Sequence, residues 1–206
     1  MLRIINHPLI NHKLTIMRKE DTDMKDFREN LDEIAGLMAY EITDNLQTTK
    51  VKIKTPITTM YGQQLKNKVI LVPVLRTGLG MVDGIRKVIP TAKIGHIGLY
   101  RDEKTLKPHE YYAKFPGGMK EATIFILDPM LATGNSAVAA IDLIKKYGGK
   151  NIKLICLVGV KQGVERVSKA HPDVDIYLAA LDQKLNKHGF IVPGLGDAGD
   201  RLYGTK

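Results

Sequence analysis

The sequence is short of the features that mark secreted and membrane proteins. Among its 206 residues there is a single cysteine, Cys156, so a disulfide within the chain is excluded. Cys156 lies in the apolar run 155–158, which predicts a buried, inert thiol rather than a nucleophile. No apolar stretch approaches the roughly 20 residues of a membrane helix, and the first residues lack the apolar segment of a signal peptide. We therefore expect a cytoplasmic protein that does not bind membranes.

Several familiar ligand-binding motifs are also missing. The chain has no phosphate-binding lysine motif of the Walker type, no His/Cys pairs at metal-binding spacing and no internal repeat. Residues 194–199 formally match the Gly-x-Gly-x-x-Gly dinucleotide fingerprint, but only seven residues follow them, whereas the fingerprint needs a following helix and strand. A glycine-rich segment without that context suits a loop whose backbone N–H and C=O groups bind a small planar ligand.

The composition is that of a globular protein with a strong positive charge. With 44% hydrophobic and 26% charged residues, the chain can bury the core of one α/β domain. The net charge of +9 indicates either a nucleic-acid surface or an enzyme whose substrates carry several phosphates. Lysine and arginine are spread through the chain, and no basic run is interleaved with aromatic residues. That distribution favours phosphorylated substrates.

Residues 122–136 predict a buried strand, a tight turn and a helix. The apolar run Ile124–Leu127 stops at Asp128-Pro129, small and hydroxyl residues follow, and helix-forming residues begin at Ala137. At such a turn the free N–H groups and the dipole of the helix start attract an anion. Asp128, at the carboxyl end of the strand, is placed to hold a sugar hydroxyl or a magnesium-bound ligand.

The turn itself carries groups that suit a phosphate. Thr133 and Ser136 can donate hydroxyl hydrogen bonds, and Gly134 lets the backbone approach a ligand closely. The alternative is an ordinary strand-to-helix loop in which Thr133 or Ser136 only caps the helix. That alternative leaves an acid, small residues and two hydroxyls within nine consecutive positions as coincidence.

Two other predicted strands each end in an arginine. The apolar run 69–75 is followed by Arg76, and the run 94–100 is followed by Arg101. In open α/β sheets, ligands bind beyond the carboxyl ends of the strands. Either arginine alone could be a solvated loop residue, but the pair predicts a convergent anion site.

The alternation of strands and helices over residues 69–179 predicts a doubly wound, mostly parallel sheet flanked by helices. The first 20 residues predict an arm that docks on the core or on a second subunit, with Pro8 as an early break, and a helix begins at Thr22. Residues 50–64 predict a small antiparallel excursion, and residues 102–118 a hairpin that stands out from the sheet as a lid. The expected organisation is a single domain over 1–206, with an N-terminal arm and helix (1–48), a core sheet (69–180), the hairpin or lid (102–118) and a tail (181–206).

The motifs together resemble the type I phosphoribosyltransferases in their uracil-specific branch. Residues 128–136 resemble the loop that binds phosphoribosyl diphosphate (PRPP), and residues 191–200 resemble the uracil-binding tail. The resemblance runs from end to end, and the tail is its most specific part. Three further segments fit the same family: His7-Pro8-Leu9-Ile10-x-His12-Lys13-Leu14-Thr15, Leu75-Arg76-x-Gly78-Leu79-Gly80-Met81 and Tyr100-Arg101-Asp102.

The resemblance implies the transfer of the phosphoribosyl group of PRPP to uracil, which gives UMP and diphosphate in pyrimidine salvage. It implies catalytic roles for Asp128, Arg76, Arg101 and Asp197, with Mg²⁺ carried by PRPP, near Asp197, rather than held directly by the protein. The implied PRPP-binding residues are Arg76, Arg101, Asp128, Pro129, Met130, Leu131, Ala132, Thr133, Gly134, Asn135, Ser136 and Asp197. The implied uracil-binding residues are Ile191, Gly196, Asp197 and Ala198.

Two positions depart from the family pattern. Pro129 stands where most type I phosphoribosyltransferases have a second acid, as in the uracil branch, and Asn135 stands where that branch usually has glycine. We expect Asn135 to be tolerated because asparagine adopts the left-handed backbone region better than most residues.

Other functions stay open at this point. An RNA-binding regulator on the same fold and a phosphoribosyltransferase for another base are the alternatives. The family also implies a homodimer or larger homo-oligomer, and activation by GTP in some members, although no effector site is evident in the sequence.

Overall fold

A computed structural model describes residues 1–101 and 108–205 of the chain. Among these residues no helix is both long and apolar enough to span a bilayer. The helices are α1 (Pro8–Arg18), α2 (Met24–Thr43), α3 (Val82–Val88), α4 (Asn135–Lys146), α5 (Lys161–Ala170) and α6 (Ala198–Tyr203), with a 3₁₀ turn at Thr77–Met81. The strands are β1 (Leu2–Ile4), β2 (Thr48–Lys54), β3 (Thr59–Leu65), β4 (Val69–Leu75), β5 (Lys93–Ile94), β6 (His96–Arg101), β7 (Pro108–Lys114), β8 (Thr123–Leu127), β9 (Met130–Leu131), β10 (Asn151–Val160), β11 (Asp175–Asp182), β12 (Lys184–Leu185) and β13 (Ile191–Val192).

The central sheet has the strand order β1-β11-β10-β8-β4-β6-β7, with β5 beside β4 and β9 beside β10. Neighbouring strands run parallel except for the pair β6 and β7. The predicted mostly parallel sheet flanked by helices is therefore confirmed. Strands β8 and β4 lie side by side, so their carboxyl ends open onto the same edge of the sheet.

Both faces of the sheet are covered, which explains the continuous apolar runs of its strands. All five residues of β8 are buried, and successive side chains point to opposite faces. Phe125 and Leu127 pack in the cluster that contains the buried faces of α1, α2 and α3. Ile124 and Ile126 pack in the opposite cluster, with α4 and α5. The chain is thus a three-layered structure with two cores.

The N-terminal segment joins the sheet. Strand β1 pairs in parallel with β11, and α1 and α2 add buried side chains to one of the two cores. The expectation that Pro8 breaks the chain is wrong, because Pro8 is the first residue of α1, where no intrahelical N–H bond is required. The His7 side chain caps this helix by accepting a hydrogen bond from the Leu9 N–H at 3.2 Å.

The two predicted hairpins have different outcomes. Strands β2 and β3 form a separate, largely exposed antiparallel pair, as expected. Strand β7 does not stand out from the sheet, because it pairs with β6 along its whole length and forms the edge of the central sheet. Alternation of polar and apolar residues is typical both of an edge strand and of a hairpin outside the sheet. The sequence pattern therefore could not distinguish these two structures. Residues 102–107 of the predicted lid lie outside the described residues.

Candidate active site

A cleft of about 260 Å³ opens beyond the carboxyl ends of β4 and β8, where open α/β sheets bind their ligands. One wall is formed by Thr77 and Asp128. Asp128 directly follows β8, and Thr77 is the second residue after β4. A second wall is the turn between β8 and α4, and a third comes from the tail. The cleft is lined by Thr77, Asp128, Ser136, Ala137 and the segments 130–134, 189–191 and 196–199.

The turn after β8 is held in place by β10. The Pro129 carbonyl accepts hydrogen bonds from the N–H groups of Leu157 and Val158, both at 3.0 Å. Strand β9 then pairs in parallel with β10 before the chain turns into α4. Pro129 is buried and does not belong to the cleft lining among the described residues, so its place in the structure is to anchor the turn.

The start of α4 faces the cleft with its backbone groups. Gly134 is the N-cap, with a left-handed φ of +79°, and no hydrogen bond from a described side chain caps this helix end. The interpretation of Thr133 or Ser136 as a simple helix cap is therefore wrong for this structure. Both residues line the cleft instead, beside free N–H groups at the positive end of a 12-residue helix.

The left-handed position falls on Gly134 and not on Asn135. Asn135 is the first residue of α4 and has ordinary helical geometry. The argument that asparagine is tolerated because it adopts the left-handed region is therefore unnecessary. Asn135 does not belong to the cleft lining among the described residues, whereas its neighbours Gly134 and Ser136 do.

Helix α5 lies directly behind the turn. A Cβ atom on Gly163 would lie 2.4 Å from the Ala132 carbonyl oxygen, and one on Gly134 would lie 2.9 Å from the Gly163 carbonyl oxygen. These distances are shorter than any ordinary contact, so glycine is needed on both sides of this approach. The sequence offered no signal that links Gly163 to the turn.

Asp128 is the titratable group that this site perturbs most clearly. Its Oδ1 atom accepts a hydrogen bond from the Met130 N–H at 3.3 Å, and the Thr77 hydroxyl also bonds to its side chain. Burial nevertheless raises the pKa of Asp128 from its ordinary value of 3.8 to about 7, because the surrounding protein disfavours the charged form. Near neutral pH this carboxyl group therefore exists in both protonation states.

Arg76 directly follows β4, as the sequence predicted. Its side chain is exposed, and its guanidinium carbon lies 5.5 Å from the centre of the Tyr203 ring. The Tyr203 hydroxyl donates to the Arg76 carbonyl at 2.7 Å, and the Leu75–Arg76 peptide bond is cis. Among the described residues Thr77, not Arg76, lines the cleft here. Thr77 escaped the sequence analysis, although its place directly after Arg76 at a strand end was a usable signal.

Arg101 ends strand β6, and its side chain lies outside the described residues. Strand β6 is parallel to β4, so Arg101, the last residue of β6, and Arg76, which follows β4, lie at the same edge of the sheet. The backbone therefore agrees with the expectation that the two arginines share one edge.

The tail closes the remaining side of the cleft. Strand β13 pairs with β12, and the chain then turns through Gly194 and Gly196, with φ of +63° and +78°. Asp197 caps α6 by accepting a hydrogen bond from the Asp200 N–H at 3.0 Å. This short helix was not predicted from the sequence. The four predicted uracil-binding residues, Ile191, Gly196, Asp197 and Ala198, all line the cleft, and Gly189, Phe190 and Gly199 join them.

A comparison with known families shows to which family the chain belongs. A family model described as uracil phosphoribosyltransferase matches residues 4–205. The chain belongs to the uracil phosphoribosyltransferase family. A protein named uracil phosphoribosyltransferase from Clostridium beijerinckii is 59% identical over 203 residues, which cover 98% of this chain and 97% of the relative. Another of that name, from Ureaplasma urealyticum, is 58% identical and covers 100% of both chains.

Solved structures share the fold of this chain. A protein from Aquifex aeolicus superposes with a TM-score of 0.94 at 35% identity, covering 100% of this chain and 99% of its own. An adenine phosphoribosyltransferase from Trypanosoma brucei, in complex with AMP, pyrophosphate and ribose-5-phosphate, has a TM-score of 0.59 at 12% identity and covers 87% and 83%. The second likeness shows that the uracil phosphoribosyltransferase family shares the broader phosphoribosyltransferase fold.

Proposed function

We propose that this chain transfers the 5-phosphoribosyl group of PRPP to uracil, giving UMP and diphosphate in pyrimidine salvage. The observation that carries the proposal is the shared cleft, because the start of α4 and the glycine-rich tail both line it. One wall suits a phosphate and the other suits a flat neutral base. PRPP fits such a site, because it carries a 5′-phosphate and a reactive anomeric carbon.

The 5′-phosphate of PRPP lies at the turn before α4. The backbone N–H groups of residues 132–136 and the hydroxyls of Thr133 and Ser136 donate to it, and the helix dipole adds partial positive charge. Asp128, as the carboxylate, accepts hydrogen bonds from the ribose hydroxyls. In this form the site orients the sugar without forming a covalent bond to it.

Uracil lies against the tail. Backbone groups of Ile191, Gly196 and Ala198 pair with its carbonyl and N–H groups at fixed spacing. A base with another donor and acceptor pattern would leave buried groups unpaired, and such a mismatch discriminates strongly. The proposal therefore favours uracil over cytosine and the purine bases.

The chemical step is driven by charge stabilisation. Breaking the anomeric C–O bond leaves positive charge on the ribose and negative charge on the departing diphosphate. Arg76 and Arg101 face the diphosphate and stabilise it. The reaction needs no covalent enzyme intermediate, and no residue is assigned as a base for the uracil N–H.

The residues present fit a magnesium ion that arrives with PRPP. Mg²⁺ is usually bound through one or two carboxylates together with substrate phosphates, and Asp128 and Asp197 both line the cleft. Among the described residues no group of three or more His, Cys, Asp or Glu side chains forms a cage for a metal. Bound Mg²⁺ would neutralise charge that develops on the leaving diphosphate. Asp197 is the residue we propose to lie nearest to it.

The test of the reaction is a competition between bases. Purified protein is incubated with PRPP and Mg²⁺ and with uracil, cytosine, adenine, guanine and hypoxanthine together, and the products are separated by chromatography. We expect UMP as the main nucleotide. Preferential formation of another nucleotide would assign the enzyme to that base. No nucleotide product, combined with filter retention of RNA that weakens steeply with salt, would favour the RNA-binding alternative.

Three substitutions test the assigned residues within the same assay. We expect Asp128→Asn, Arg76→Ala and Arg101→Ala each to lower turnover greatly while the thermal unfolding transition persists. Arg76→Ala is the most informative of the three. The Arg76 side chain is exposed and, among the described aromatic rings, packs only against Tyr203, so its removal should affect folding little. Normal kinetics in all three variants would contradict the assignment of these residues to the active site.

Homo-oligomer formation, activation by GTP and a cytoplasmic location stay predictions. The first two are checked together by light scattering with and without GTP, paired with an assay of UMP formation. A rise in both mass and activity on adding GTP would identify a GTP-responsive assembly. An unchanged mass and rate would argue that this chain does not respond to GTP.

A further inference from the structure

A bidentate ion pair joins the end of α1 to the end of β11. Arg18 is the last residue of α1, and Asp182 is the last residue of β11. The Arg18 Nη1 and Nη2 atoms donate to Asp182 Oδ2 and Oδ1 at 2.8 and 2.7 Å. The Asp182 side chain is only 6% exposed, so this pair is well shielded from water. Two parallel charge-assisted hydrogen bonds fix the relative orientation of the guanidinium and carboxylate planes.

Both members of the pair also bind the backbone of Gly194. Arg18 Nη1 donates to the Gly194 carbonyl at 2.6 Å, and the Gly194 N–H donates to Asp182 Oδ2 at 2.8 Å. A Cβ atom at this position would lie 2.2 Å from the Ile191 carbonyl oxygen, and φ is +63°. The pair thus holds both polar backbone groups of Gly194 in a conformation that requires glycine.

A second arginine holds the next residue. Arg201 Nη1 donates to the carbonyls of Leu195 and Met17 at 3.0 and 2.5 Å, and Nη2 donates to the Lys19 carbonyl at 2.6 Å. Its guanidinium carbon lies 4.5 Å from the centre of the Phe27 ring. The carbonyl groups at the end of α1 and the carbonyl of Leu195 are therefore bound by one rigid cation.

The tail segment 191–199 borders both the cleft and a neighbouring groove. Residues 196–198 line the cleft, and Gly194 lies with Arg18 and Arg201 in the groove, which shares Phe190, Gly196 and Asp197 with the cleft. A base that is bound by backbone groups depends on their spacing. A hydrogen bond lost from the backbone cannot be restored by a change of side-chain rotamer. Contacts outside the cleft must therefore fix the geometry of the tail before the base binds.

We propose that Arg18 and Asp182 are positioning residues for the base. They fix Gly194, and through it the backbone of Gly196 and Ala198, at the spacing that pairs with the base edge. This inference rests on the proposed function. Neither residue lines the cleft, and both bind the backbone of Gly194 in the tail, so their loss should weaken the use of uracil and leave the use of PRPP almost unchanged.

Two conservative variants and one matched control test the proposal. Asp182→Asn keeps the size but removes the charge, and Arg18→Lys keeps the charge but removes the planar fork. We expect the KM for uracil to rise about tenfold or more in Asp182→Asn, as for the loss of one charge-assisted hydrogen bond, and less in Arg18→Lys. The KM for PRPP should change less than about twofold, within the scatter expected of surface substitutions.

The control is Arg3→Lys, the same substitution in the same N-terminal segment. Arg3 pairs with Glu41 at 2.5 Å and with Asp44 at 3.4 Å, on α2 and just after it, and these contacts do not involve the tail. We expect both KM values to stay at those of the unsubstituted protein. A rise in the uracil KM of this variant equal to that of Arg18→Lys would overturn the positioning role.

Amide hydrogen exchange of residues 193–196, measured without substrates, separates this inference from the proposed function. Faster exchange at the Gly194 N–H in both variants supports the positioning role even if the unsubstituted protein were to form no UMP, in which case only the proposed function fails. Unchanged exchange, an unchanged uracil KM, or equal rises in both KM values would overturn it. If Asp182→Asn does not fold, Arg18→Lys by itself decides.

Discussion

Asp128 shows how one residue couples activity to stability. Its side chain is proposed to hold the ribose hydroxyls as a carboxylate, but its surroundings raise its pKa to about 7. Between its ordinary pKa of 3.8 and that value, the folded state binds more protons than the unfolded state. The contribution of Asp128 to folding stability therefore falls as the pH rises from about 4 to about 7 and stays low above that range.

The first prediction concerns the pH dependence of the unsubstituted protein. Because the active form of Asp128 is proposed to be the carboxylate, kcat/KM for PRPP should rise with pH through about 7 and level off above it. Steady-state rates between pH 5.5 and 9, at constant ionic strength, check this. A profile that is flat across this range would contradict the assigned protonation state.

The second prediction concerns Asp128→Asn. The variant should lose at least about a hundredfold in kcat, as for the loss of a positioned group in the site, while its melting temperature at pH 8 rises by about 3 °C or more. The gain in melting temperature should shrink towards pH 4, where Asp128 is already neutral in the folded protein. The matched control is Asp83→Asn, an exposed aspartate on α3 that pairs with Arg86 at 2.9 Å and should change neither quantity.

At the scale of elements, the site depends on how closely α5 approaches the turn before α4. The contact is made by backbone groups, since Gly163 faces the carbonyl oxygens of Ala132 and Leu131. Helix α5 therefore supports the turn from behind, much as the end of α1 supports the tail. The two walls of the cleft each rest on an element that is distant in sequence.

The third prediction is that Gly163→Ala weakens the binding of PRPP by disturbing the turn before α4. The added methyl group would lie 2.4 Å from the Ala132 carbonyl, so the helix or the turn must move. We expect the KM for PRPP to rise about tenfold or more and the uracil KM to change little, because the atoms nearest to the added methyl group belong to Leu131 and Ala132 of the turn. Gly117→Ala is the control, since a Cβ atom there meets nothing within 4 Å. Equal KM values in the two variants would contradict the supporting role of α5.

At the scale of the whole molecule, the positive charge and the cleft act together. The net charge of +9 attracts a polyanionic substrate, and the attraction is not concentrated in one basic run. A ligand that binds only the folded state stabilises it by mass action. PRPP, which is proposed to contact the turn, Asp128 and the strand ends at once, should therefore stabilise the entire fold.

The fourth prediction is a thermal shift. At a concentration of Mg²⁺ and PRPP about 100 times Kd, stabilisation of about 2.7 kcal/mol corresponds to a rise in melting temperature of about 5 to 10 °C for a chain of this size. Differential scanning calorimetry measures it, with sodium chloride at the same ionic strength as the control. A shift of the same size with sodium chloride would indicate general screening instead of a PRPP site.

The sequence by itself determined the fold class and predicted the two segments that line the cleft. Continuous apolar runs predict strands that are buried on both faces, and the 122–136 segment predicts a helix start that attracts an anion. These features are local, because hydrophobic periodicity, turn residues and helix termini act over a few neighbouring positions. For the same reason Pro8 was misread, since proline starts a helix as readily as it interrupts one.

Tertiary structure alone decided which distant groups meet. The pairing of β7 with β6, the approach of Gly163 to the turn, and the bonds from Arg18 and Asp182 to Gly194 join residues with no local pattern in common. The raised pKa of Asp128 likewise follows from burial that the sheet and the turn create together. Such effects depend on packing between elements, and a single sequence does not encode them in any short-range signal.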